Sequence, residues 1–227
     1  MNLKGKVIAF DADDTLWQNE INYRRAEGEF AKIMLPFCTS EQAIAHLMKV
    51  EGRNIPQLGY GSKTFIIALI ESAIELSGHK ADNKIIEQVI AIGKTTVSPR
   101  MEVYPYVEEV LQRLGKSNKL VLATKGDLKD QQEKIRKSGL SQYFCHIEIM
   151  SEKQEENYRE LLGKLGIAPQ EFVMVGNSFK SDIIPVLNIG ASAIYIPSEL
   201  IWEHEKEEEF EDKNLVKLSS IKELTKL

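Results

Sequence analysis
The chain has 227 residues, enough for one large domain or for a core domain with a smaller insertion. Hydrophobic residues make up 43% and charged residues 28%, proportions that suit a globular protein and argue against disorder. The net charge is −5 and no run is strongly basic, which argues against nucleic-acid binding. No stretch approaches the roughly 20 apolar residues of a membrane span, and the short apolar run near Met1 is cut by acids, unlike an export signal. A cytoplasmic location is the default expectation. Cys38 and Cys145 lie in no metal-binding spacing, and their apolar flanks predict buried, reduced thiols.

In chain order, Lys6–Phe10 is an apolar run ending at an acidic cluster, the pattern of a strand buried on both faces of a parallel sheet. Residues 19–99 then carry no strand pattern. They read as four helices, Ile21–Leu35, Ser40–Glu51, Ser62–Ser77 and Asp82–Thr96, punctuated by Pro36, Pro56, Gly59, Gly61 and Gly78. From there the pattern alternates. Strands are predicted at Lys119–Ala123, Cys145–Ile149, Phe172–Val175 and Ala193–Ile196. Helices are predicted at Tyr106–Leu114, Leu128–Lys137, Glu155–Leu165 and Ser181–Leu187. This predicts an α/β fold with a doubly wound parallel sheet. Its core spans 1–18 and 100–227, and 19–99 form an α-helical cap. The acidic run Glu203–Asp212 reads as a solvated helix or loop.

Four polar motifs follow the predicted strands. In Phe10-Asp11-Ala12-Asp13-Asp14-Thr15-Leu16, three carboxylates within four residues repel one another unless a cation neutralises them, and oxygen donors suit magnesium. Capping accounts for one such Asp but not for a cluster at a strand end. In Thr124-Lys125-Gly126-Asp127, a hydroxyl and backbone amides entering a helix form an anion-binding place, with Lys125 beside it; a simple helix cap explains the threonine equally. Lys153, in Ser151-Glu152-Lys153, can neutralise a phosphate and hold a carboxylate in place, whereas Lys164 reads as surface. Gly176-Asn177-Ser178-Phe179-Lys180-Ser181-Asp182 offers an amide oxygen and a carboxylate to a metal, or ordinary caps to a helix. All four motifs fall on the carboxyl edge of the predicted sheet, where open α/β sheets bind ligands.

These motifs, in this order and over nearly the whole chain, resemble the haloacid dehalogenase superfamily of phosphohydrolases. The family pattern D-x-D-x-T matches Asp11, Asp13 and Thr15, and its later elements match Thr124, Lys153 and Gly176–Asp182. The resemblance implies a Mg2+-dependent phosphatase of small-molecule phosphate monoesters. Asp11 would be the nucleophile and form an aspartyl-phosphate. Asp13 would be general acid and then general base, and its backbone carbonyl a metal ligand. Thr124, Lys125 and Lys153 would bind phosphate, and Asp11, Asp13, Asn177 and Asp182 the metal. Asp13 favours phosphoryl transfer over dehalogenation, since the dehalogenase branch lacks that acid. Asp14 stands where the family often has Gly, and Asn177 where it usually has Asp, which removes one charge from the metal site.

Within the cap, Tyr60-Gly61-Ser62-Lys63 is a candidate contact for the leaving group, with a helix cap by Ser62 as the plainer reading; Arg24 and Arg25 are further candidates. Trp202–Glu205 can pack beside the crevice, with His204 structural rather than catalytic. A phosphomutase, or a binding or regulatory protein that keeps the fold, is the alternative. Composition leaves monomer and homodimer open.

Overall fold
The computed structural model describes all residues except Ser98 and Arg100, so the expected resumption of the core at residue 100 lies outside the described residues. The chain forms two compact units. One comprises Met1–Glu20, Met101–Lys125 and Ile135–Leu227; the other comprises Ile21–Arg100 and Gly126–Lys134. The start of the helix after the second strand therefore groups with the helical unit, a detail that local sequence pattern does not encode. No helix among the described residues is long and apolar enough to cross a membrane.

The first unit is built on six parallel strands: β1 (Val7–Phe10), β2 (Lys119–Lys125), β3 (His146–Met150), β4 (Phe172–Gly176), β5 (Ser192–Tyr195) and β6 (Leu215–Lys217). Their order is β3-β2-β1-β4-β5-β6. All four residues of β1 are buried because helices cover both faces of the sheet. Strand side chains alternate in direction. Ile8 and Phe10 accordingly join a cluster with Leu120, Leu122, Val173 and Val175, packed under helix α5 (Val107–Leu114). Val7 and Ala9 join Val121, Ala123, Phe172 and Met174 on the other side, under helix α7 (Glu155–Leu165). Each fully buried Ile or Phe contributes about 1.5–3 kcal/mol.

Several details depart from the sequence expectation. β6 is additional; only three residues long and half exposed, it carries too little apolar signal to be read locally. The helix expected over Ser181–Leu187 is a wide π-type turn, Phe179–Ile183, followed by the single α-helical turn Ile184–Asn188 with Pro185 in its first turn. Such turns recur at functional sites. Cys145 is exposed and Cys38 half-buried, both as free thiols. Cys145 immediately precedes β3, an edge strand whose residues are mostly only half-buried.

The helical unit contains α1 (Glu20–Met34), α2 (Ser40–Leu58), α3 (Ser62–Leu76) and α4 (Asn83–Lys94). Its own core includes Phe30, Met34, Leu47, Phe65, Leu69 and Val89. Thr39 and Gln42 form a reciprocal capping box at the start of α2, and Asp82 caps α4 through the Ile85 amide. α2 continues beyond the expected end at Glu51 because Pro56 falls in its last turn, where few further backbone bonds are lost. Ser62 does not cap α3: Gly61 holds the cap position, and the Ser62 hydroxyl donates to Asp130 at 3.3 Å. Lys63 pairs with Asp127 at 2.8 Å, and that contact holds the Asp127 carboxyl below its ordinary range.

Candidate active site
Strand register brings the motifs into one row. Phe10 aligns with Leu122 of β2 and with Val175 of β4, so Ala12, Thr124 and Asn177 each stand two residues beyond that row. β1 and β4 flank the point where strand order reverses, which is where such sheets form a crevice. The Asp11 amide donates to the Val175 carbonyl at 2.9 Å, which carries the pairing one residue past β1 and fixes the direction of the Asp11 side chain.

Asp11 is buried. Its Oδ1 accepts from Lys153 Nζ at 2.5 Å, and its Oδ2 accepts from the Thr15 hydroxyl at 3.1 Å. Burial pushes its carboxyl from 3.8 up to about 7; the Lys153 ammonium opposes that rise, and Asp182 and Asp13 add to it. Lys153 is itself only 2% exposed and also contacts Asp182 Oδ1 at 2.6 Å. Burial alone would lower the Lys153 pKa, but Asp11 and Asp182 outweigh it and hold the ammonium well above the ordinary lysine range. One cation thus serves two buried carboxylates.

Asp182 therefore holds Lys153. Its second oxygen, Oδ2, accepts from the Ser178 amide at 3.0 Å. Both oxygens are engaged in these contacts. Gly176 makes this possible. A Cβ at that position would lie 2.2 Å from Asp182 Oδ2, so only a hydrogen leaves room for the carboxylate.

Asp13 accepts from Trp17 Nε1 at 2.7 Å, which orients its carboxylate. Asp14 turns away from the cluster. At φ 60° it sits in the left-handed region that favours Gly, Asn and Asp, and its carboxylate accepts from the Asn19 and Glu20 amides at the start of α1. The carboxylates that repel Asp11 are therefore Asp182 and Asp13. Thr124 is buried at the end of β2.

The donor set fits a hard cation. A terminal amide atom of Asn177 lies 3.3 Å from Asp11 Oδ2, 3.3 Å from the Asp13 carbonyl oxygen and 3.0 Å from Thr15 Oγ1. As a nitrogen it lies within donating distance of all three. Holding a metal instead requires the amide oxygen there, beside Asp11 Oδ2 and the Asp13 carbonyl. Among the described residues no group of three or more His, Cys, Asp or Glu side chains is placed to hold a metal ion.

Lys125, expected to bind phosphate, pairs with Glu205 and donates to Ser181 Oγ at 3.0 Å. Glu205 lies in Trp202–Glu205, which was expected to pack beside the crevice, but its pairing with Lys125 was missed: its acidic run reads as solvated, and nothing local distinguishes this glutamate. Burial would raise its pKa, but Lys125 and the hydroxyls of Ser178 and Ser181 hold it below the ordinary range. Trp17, four residues after Asp13, was also missed; its helix-like spacing was the available signal. Lys164 is exposed, as expected, and pairs with Glu148 at 2.6 Å.

A parallel sheet ordered β3-β2-β1-β4-β5-β6, with a buried aspartate and lysine at its carboxyl edge, is an α/β fold with paired charges where such sheets bind ligands. Residues 6–190 match the model of the haloacid dehalogenase-like hydrolase family, and the chain belongs to that family. N-acylneuraminate-9-phosphatase of Mus musculus is 30% identical over 83% of this chain and 80% of its own. Glyceraldehyde 3-phosphate phosphatase of Methanothermobacter thermautotrophicus is 26% identical over 98% of this chain and 97% of its own. The crystal structure of a haloacid dehalogenase-like family hydrolase from Xanthomonas campestris is 34% identical, with a TM-score of 0.89, and covers 100% of this chain and 91% of that one. The chain is thus a hydrolase of this family, and its curated relatives are phosphatases.

Proposed function
We propose that this protein is a Mg2+-dependent phosphatase of small phosphate monoesters that works through an aspartyl-phosphate on Asp11. The observation that carries the reading is the Lys153 ammonium bridging Asp11 at 2.5 Å and Asp182 at 2.6 Å, which keeps a buried carboxylate oriented beside a cation. The curated relatives, an N-acylneuraminate-9-phosphatase and a glyceraldehyde 3-phosphate phosphatase, support the substrate class.

A carboxylate oxygen of Asp11 attacks phosphorus as the ester P–O bond breaks, and the Asp13 carboxyl gives its proton to the leaving oxygen. Trp17 Nε1 keeps the Asp13 side chain oriented for that transfer. Asp13, now ionised, takes a proton from water as the water oxygen bonds to phosphorus; the bond from phosphorus to Asp11 breaks and phosphate leaves. Thr124 and Lys153 hold the phosphoryl oxygens, and Lys153 offsets charge as the anion approaches Asp11. Asp11, the Asp13 carbonyl and Asn177 would hold Mg2+, which supplies charge neutralisation for the phosphoryl group. The helical unit serves as the family's cap and sets leaving-group preference.

Phosphate release from an aryl phosphate, with and without Mg2+ and beside an Asp11→Asn variant, tests this reading. Release that needs neither Mg2+ nor Asp11 would overturn it.

A further inference from the structure
Glu205 lies beyond residues 6–190 that match the family model, and the chemistry above does not use it. Its side chain is 13% exposed, while Lys206–Lys213 immediately after it are all exposed. A carboxylate so placed is costly unless it is partnered. Oε1 faces Lys125 Nζ. Oε2 accepts from the Ser178 hydroxyl and, at 2.6 Å, from the Ser181 hydroxyl. The Ser181 amide donates to Ser178 Oγ at 3.0 Å, which closes the turn.

From that turn, hydrogen bonds continue without a gap to the nucleophile. The Ser178 amide donates to Asp182 Oδ2, Asp182 Oδ1 accepts from Lys153, and Lys153 donates to Asp11 Oδ1. The segment carrying Glu205 has a second tether on its exposed side, where Lys180 Nζ donates to the His204 carbonyl at 2.9 Å. Holding the segment in place is therefore not a task that falls to Glu205 alone.

We propose that Glu205 is a positioning residue for Asp11, fixing the Ser178–Asp182 turn that in turn clamps Lys153. Lys125 is the counter-charge that lets this carboxylate stay buried. The inference rests on Asp11 being the nucleophile.

The test uses the full chain as wild type, Glu205→Ala, Glu205→Gln and the tether control Lys180→Ala. Two quantities are read: steady-state kinetics with an aryl phosphate and Mg2+, and the rate of acetylation of Lys153 by acetic anhydride, followed by mass spectrometry. Glu205→Ala should lower kcat about tenfold or more, with KM within about threefold, because misplacing a reacting group costs rate before affinity. Lys153 labelling should rise about fivefold or more, and Lys180→Ala should change neither quantity. Glu205→Gln, of the same shape, keeps the test decisive if the alanine variant does not fold, and it should show the same changes to a smaller degree. Unchanged labelling of Lys153 with kcat within twofold of wild type in the folded variants would overturn the inference. Equal effects from Lys180→Ala would overturn it too, since attachment alone would then suffice. Wild type that releases no phosphate would count against the proposed function, while the labelling rates still decide the role of Glu205.

Discussion

Asp11→Asn should make the metal-free protein more stable while abolishing catalysis. Burial pushes the Asp11 carboxyl from 3.8 up to about 7. Because the folded-state value lies above the unfolded one, this group favours the folded state fully below pH 3.8. That advantage is lost as the pH rises through about 7. The gap corresponds to about 4 kcal/mol at 1.36 kcal/mol per pH unit. Asparagine resembles the protonated acid in shape and still offers Lys153 an oxygen. The variant and wild type should therefore be nearly equal at pH 4. The variant should gain progressively to about 4 kcal/mol at pH 8, a rise in Tm on the order of 10 °C. Asp182 still faces Lys153 in the variant, so one of the two carboxylates that hold the lysine's pKa up is retained. Urea unfolding of both proteins in EDTA, from pH 4 to 8, measures the difference. A gap that does not widen with pH, or a variant less stable than wild type at pH 8, would refute the reasoning.

Three further outcomes follow from named contacts. Gly176→Ala places a methyl on Asp182 Oδ2; it should cost about 1–3 kcal/mol of stability and lower kcat roughly a hundredfold, read by denaturation and steady-state kinetics. Asn177→Asp adds a charge to the metal site and should lower the Mg2+ concentration for half-maximal activity about tenfold, while weakening the metal-free protein because another carboxylate joins Asp11; a Mg2+ titration and a melting curve in EDTA report both. Asp14→Gly removes the carboxylate that accepts from the Asn19 and Glu20 amides but relieves the residue's positive φ. These effects are each about 1 kcal/mol and opposed, so stability should change by less than about 1 kcal/mol and kcat by less than twofold. A larger fall in kcat would place Asp14 in the chemistry.

The strands that build the site were legible because burial on two faces leaves an uninterrupted apolar run. β1, β2, β4 and β5 lie within two residues of where those runs predict them. β6 was not, since a short strand with one buried residue looks like any apolar pair beside a charged stretch. Residue types at strand ends were equally readable, but their partners were not. Asp182 is an acid in a metal-binding context by sequence, and only the packing beneath Gly176 turns it toward Lys153. Asp14 looked like one more repelling charge until its backbone turned it to the start of α1. Glu205 was hidden among identical neighbours, because burial of one glutamate in an acidic run depends on a lysine 80 residues earlier in the chain.

The contact between Gly176 and Asp182 makes the two positions behave as a single letter of the sequence. The glycine is needed for the volume it leaves empty, with no unusual backbone angle to serve. Any lineage that placed a side chain at 176 would have to shorten or redirect residue 182 in the same step, and would then face an unclamped Lys153. A search for divergent members of this family could therefore treat the pair as one character, and a chain with a bulky residue at the first position would be expected to hold its lysine by another route.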